Sequence, residues 1–161
     1  MNAVVIGVGN EYRHDDGVGP LVAAKVADRN LPDVRVVISD GEPVSLLEAW
    51  AGADVAIVVD AVQCEPSTPG RIWRSTVDSL PGGKGVASSH ALGIPDALLL
   101  GQALDRVPGR LLVFAVEAAN LDLGVGLSHP VAAAVPAVVD AVLREVSPRF
   151  GRAGASPPPR G

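Results

Sequence analysis

The chain has 161 residues, of which 48% are apolar but only 3% aromatic, so one domain with a core of Val, Leu, Ala and Ile is expected. A formal net charge of -5 and a pI near 5.0 are the wrong sign for a phosphate-binding surface, which argues against a nucleic-acid partner. Cys64 is the one cysteine, so no disulfide can form within the chain, and a reducing cytoplasm is the expected compartment.

The chain enters a strand pattern at once with AVVIGV (Ala3–Val8), and no basic leader precedes it, so no secretory signal is expected. The stretch VGPLVAAKVADR (Val18–Arg29) predicts a first helix with Leu21, Val22 and Val26 on one side and Pro20 in its first turn. VRVVIS (Val34–Ser39) is a second strand, PVSLLEAW (Pro43–Trp50) a short helix and VAIVVD (Val55–Asp60) a third strand. RIWRS (Arg71–Ser75) follows Pro69-Gly70 and carries two arginines, as an edge strand after a turn would. IPDALLLGQALDRV (Ile94–Val107) predicts a third helix, LLVFAVE (Leu111–Glu117) a last strand, and HPVAAAVPAVVDAVLREV (His129–Val146) a fourth helix disturbed near Pro136.

Apart from RIWRS, the strand runs are continuously apolar or nearly so, as in strands covered on both faces, and none approaches the length of a membrane span. Alternation of strand and helix predicts an α/β fold, a three-layer α/β/α sandwich around a mostly parallel, twisted sheet of about five strands. Residues 1–147 are expected to form the single catalytic domain and Pro148–Gly161, rich in Pro, Gly and Arg, a disordered tail.

The loop GVGNEYRHDDGVG after the first strand resembles a dinucleotide turn at first sight, but Tyr12 stands where the third glycine is needed. No lysine follows in P-loop spacing, and Asp15 and Asp16 would repel a phosphate. Capping of the next helix would be the plain alternative for one of these acids. Two acids flanked by Gly17 and Gly19 exceed what a cap requires, and the glycines would admit another backbone closely.

Acids recur where strands end: Asp16 through its loop, then Asp40, Asp60 and Glu117. Parallel strands would gather these carboxylates on one rim, at the crevice where open α/β sheets bind ligands. Such crowding needs a cation, hydrogen bonds or protonation to relieve it. His90, in VASSHALG before the third helix with Ser88 and Ser89 as candidate caps, offers an imidazole. Asp16, Asp60 and His90 would supply two oxygens and one nitrogen, suited to a borderline divalent metal such as nickel or zinc. A rival pairing of Cys64 with His14 would make a cysteine hydrolase, but Glu65 beside the thiol would raise its pKa rather than activate it. His129 is expected to be structural.

Taken in order, GVGNEYRHDDGVGP, SDGEP, IVVDAV, PGRIWR, SSHALG and GLSHPVAAAVP resemble the hydrogenase maturation protease family from Val4 to about Val146. The resemblance implies an endopeptidase, grouped with the aspartic type, that trims the C-terminal extension of a nickel–iron hydrogenase large-subunit precursor after nickel insertion. It implies a fold similar to that of peptidyl-tRNA hydrolase. It assigns metal contact and catalysis to Asp16, Asp60 and His90, with Asp40 a secondary candidate because Glu42 departs from the family's usual glycine and threonine there. Gly7, Gly9, Asn10, Gly17 and Gly19 would shape the cleft. Nickel would arrive with the substrate, other divalent metals being able to occupy the site in vitro, and the enzyme would act as a monomer. The alternatives are a peptidyl-tRNA hydrolase-like esterase and a non-enzymatic nickel-binding maturation module.

Overall fold

Strands that are apolar on both sides must be covered on both sides, and the fold does this with helices. The computed structural model describes residues 2–76, 86–87 and 93–146. Its strands are β1 (Ala3–Val8), β2 (Val34–Ser39), β3 (Val55–Cys64), β4 (Ile72–Thr76), β5 (Val86–Ala87) and β6 (Arg110–Glu117). Its helices are α1 (Val18–Ala27), α2 (Pro43–Trp50), α3 (Gly93–Leu104) and α4 (His129–Val146), with a single 3-10 turn at His14–Gly17. The sheet order is β2-β1-β3-β6-β4, with β5 pairing off this path against β3. The first four strands run parallel, while β4 lies antiparallel on β6 at the edge. This is the α/β/α sandwich that the alternation of elements predicts.

Side-chain alternation along the strands divides the interior into two cores. Val5, Ile57, Val59, Leu112 and Phe114 face α1 and α4. Val4, Ile6, Val8, Ala56, Val58 and Val113 face α2 and α3, where Trp50 is fully buried. Truncating a large side chain in either core to Ala would cost about 2–5 kcal/mol.

Three local expectations need correction. Strand β3 continues past Asp60 to Cys64, because β6 still pairs with it at Val62 and β5 at Gln63 and Cys64. In α1, Val18, Val22 and Val26 face the sheet at intervals of four, which leaves Leu21 on the outer side and 37% exposed. Helix α4 spans Pro136 without ending, since that ring faces solvent while Val135, Val138 and Val139 are buried. The tail from Pro148 and the residues Ser88, Ser89 and His90 lie outside the described residues. Among those described, no helix is long and apolar enough to cross a membrane.

Candidate active site on the carboxyl rim

The order β2-β1-β3 fixes where a ligand crevice can open. The connection from β1 returns to β2 on one side, while β3 lies on the other, so the chain reverses direction between β1 and β3. Crevices of open α/β sheets lie beyond the carboxyl ends at such a switch point. Asp16 comes from the loop that leaves β1, and Asp60 is the first residue of β3 past its register with β1, which ends at Gly7 against Val59. Both acids belong to one rim, and both are buried, at 1% and 5% exposure.

Glycines let the loop close over this rim. Gly9 has φ +144°, and a Cβ there would collide with the Asp16 carbonyl oxygen. Gly19 lies against the carbonyl oxygens of Val8 and Val59, so α1 begins directly over the ends of both strands. Gly7 packs beneath Gly19, and Gly17 meets Glu11. All four shape the rim by admitting backbone where a side chain would stand. The amide of Asn10 then donates to Asp16 Oδ2 at 2.9 Å, while Asn10 Oδ1 accepts from the Tyr12 amide at 2.9 Å. Asp60 Oδ1 accepts from the Ala61 amide at 2.8 Å. By strand parity with Ala56 and Val58, the Asp60 side chain is on the α2 and α3 face.

The other acids diverge in role. Asp40 follows Ser39, which is level with Val8, but it is exposed and its Oδ1 accepts from the Glu42 amide at 3.0 Å in a turn leading into α2. Glu117 is buried at the end of β6 and accepts from the Thr68 amide at 2.7 Å and from Trp73 Nε1 at 2.8 Å. Its carboxylate joins the turn before β4 to the sheet. Among the described residues, no three His, Cys, Asp or Glu side chains converge as a metal shell. The third expected ligand, His90, lies outside them.

Neither Asp15 nor Asp16 caps α1. Gly17 holds the cap position, with no side-chain bond. Asp15 is fully buried and binds a distant loop instead: Oδ2 accepts from the amides of Ala119 (2.8 Å) and Asn120 (3.0 Å) and from Ser128 Oγ (2.8 Å), and Oδ1 accepts from the Ser128 amide (2.7 Å). The segment between β6 and α4 is thus a part of the site that sequence reading missed. Its signal is Gly124 and Gly126, both at positive φ on the same rim, at +146° and +106°.

The Cys64–His14 pairing does not form. His14 Nδ1 is 3.0 Å from the Gly126 carbonyl oxygen, its amide donates to Gly124, and its ring lies against Gly124. The Cys64 thiol has Glu117, Arg71 and Trp73 as neighbours. Burial pushes its pKa up, the Glu117 charge and hydrogen bond push further the same way, and Arg71 and Trp73 oppose them. The direction agrees with the sequence reading, but the responsible acid is Glu117, reached across the sheet, rather than Glu65.

These features define an α/β sandwich with two buried acids at its switch point. A model of the hydrogenase maturation protease (HycI) family matches residues 20–145. The hydrogenase 2 maturation protease of Escherichia coli K12 is 27% identical over 146 residues, covering 89% of this chain and 89% of that protein. The hydrogenase maturating endopeptidase HybD from E. coli has the same fold, with a TM-score of 0.78 at 24% identity over 91% of this chain and 94% of that one. The nickel–iron hydrogenase maturation protease HybD from Thermococcus kodakarensis superposes with a TM-score of 0.76 at 24% identity, covering 91% of this chain and 100% of that one. The chain belongs to the hydrogenase maturation protease family.

Proposed function

We propose that this protein is the endopeptidase that removes the C-terminal extension of a nickel–iron hydrogenase large-subunit precursor once nickel is in place. The observation that carries the reading is the placement of Asp16 and Asp60, two buried carboxylates, at one switch point in a chain of this family.

The nickel is substrate cargo. Two carboxylates, with His90 as the proposed third contact, make an incomplete shell, and thiolates of the precursor would be the stronger ligands for a borderline metal. The crevice would therefore read the precursor's nickel and fix the scissile peptide relative to it. A carboxylate of the pair would take a proton from water as the water oxygen bonds to the peptide carbonyl carbon. Collapse of that intermediate breaks the C–N bond, and the leaving nitrogen receives the proton. Asn10, by holding Asp16 Oδ2, fixes the direction in which that carboxylate works. Asp40 has an exposed position on the same rim and is assigned no step. The protein is taken to act as a monomer in the cytoplasm, where its thiol stays reduced.

The test is incubation with purified large-subunit precursor, with and without nickel, followed by mass measurement. Loss of the extension only from the nickel-loaded precursor is expected, with Asp60→Ala and His90→Ala inactive. Efficient cutting of nickel-free precursor by metal-stripped enzyme would leave the acids as an ordinary general acid and base. Tight binding without any cutting would favour a non-enzymatic module.

A further inference from the structure

Four of the large apolar side chains left exposed on the described surface belong to the two rim loops and the first turn of α1. They are Tyr12 (61% exposed), Leu21 (37%), Leu123 (85%) and Val125 (73%). Leu21 and Val125 line a groove of about 260 Å³ together with Glu11, His14, Gly17 and Leu127, and Tyr12 and Leu123 are carried on the two loops that supply its walls. The outward turn of Leu21, which contradicts the simple amphipathic reading of α1, supplies one lip.

This groove is held in shape rather than left to loose loops. The Gly124 amide donates to the Tyr12 carbonyl at 2.8 Å, the His14 amide donates to the Gly124 carbonyl at 2.8 Å, and Arg13 Nε donates to the Leu121 carbonyl at 3.1 Å. Asp15 adds its four bonds beneath. Exposed apolar side chains carried on loops braced by that many hydrogen bonds offer a contact surface. It adjoins the loop that carries Asp16, because Gly17, the next residue, lines the groove.

The geometry points to this groove as the docking site for an extended apolar segment of the protein precursor, which it would guide across the rim to Asp16. This inference rests on the proposed peptidase reading. Glu11 and Asp122 are exposed carboxylates on the same pair of loops, so a segment with a basic residue beside its apolar anchors fits best. Leu123 and Val125 would each lose exposed apolar area to the bound segment, an effect large enough to be read in affinity.

The test uses the full chain and nickel-loaded precursor, with cleavage kinetics and direct binding measured separately. Leu123→Asp combined with Val125→Asp should raise KM roughly tenfold, since two lost apolar contacts of about 0.7 kcal/mol each amount to that factor. The same double variant should leave kcat and the melting temperature close to wild type, and Glu11→Lys should weaken binding further. Leu104→Ser, an exposed site at the opposite end of the sheet, should change nothing. An unchanged KM in the double variant, or an equal rise with Leu104→Ser, would overturn the proposal. So would a wild-type dimer in sedimentation that the double variant dissociates, because the occupant would then be a second copy of the chain. Precursor binding through the groove without cleavage would sustain the docking site while removing the peptidase reading.

Discussion

Adjacent identical residues carry different duties in this protein. Asp15 accepts four hydrogen bonds from residues more than a hundred positions away, whereas Asp16 takes the Asn10 amide from its own loop. Asp15→Asn presents an NH2 group to donors and removes the charge they bind, so it should cost about 3–5 kcal/mol, or roughly 10 °C in melting temperature. Asp16→Asn should shift melting far less and lower kcat by roughly 10²–10⁴. Measuring both quantities for both variants separates the two roles. Nothing in the dipeptide distinguishes them, because the deciding partners lie in a segment whose proximity only the fold creates. The fate of Cys64 was legible in direction and not in cause, for the same reason. A thiol held above its usual range (about 8.5) keeps its proton in the folded state where the unfolded chain has lost it. Its contribution is therefore complete below that range and declines as pH rises through it toward the folded value. Relative to Cys64→Ser, the wild type should lose stability above about pH 8.5, and alkylation of the native thiol near neutral pH should be slower than that of an unfolded control. Processing by Cys64→Ser should equal wild type.

At the scale of elements, the hydrophobic pattern located β1, β2, α2 and α4 to the residue, since the spacing of apolar residues is a local property. The far end of β3 was not legible, because it is set by pairing with β5 and β6. Leu21 was misplaced because three neighbouring apolar residues in α1 fit more than one stripe. Gly19 is a tight joint between elements, its missing side chain being filled by the carbonyls of Val8 and Val59. Gly19→Ala should displace the start of α1 and cost about 3 kcal/mol or more, and thermal unfolding should show it. Pro136 offers the opposite change. It faces solvent within α4, and restoring an amide there should raise stability by about 1–3 kcal/mol in Pro136→Ala. Calorimetry should register a higher melting temperature with processing unchanged.

For the whole molecule, the alternation of strands and helices pointed to the sandwich, and the acids at strand ends pointed to one rim as the candidate site. What could not be read was how its edges are joined. Residues 148–161 have the composition of a solvated tail, and deleting them is expected to leave melting and processing as they are, which a truncated chain would check directly. The other joint spans nearly the whole chain: the loop after β1 is tied to the segment before α4 through Asp15, His14 and Gly124. Contacts of such sequence separation form late in folding. On a ribosome, which delivers the chain from its N-terminus, the Asp15 carboxylate must wait for Ser128 to emerge before its last two partners exist. A nascent chain thus carries the acids of a peptidase long before it carries the frame that braces their loop, and that frame is complete only after Ser128 has emerged.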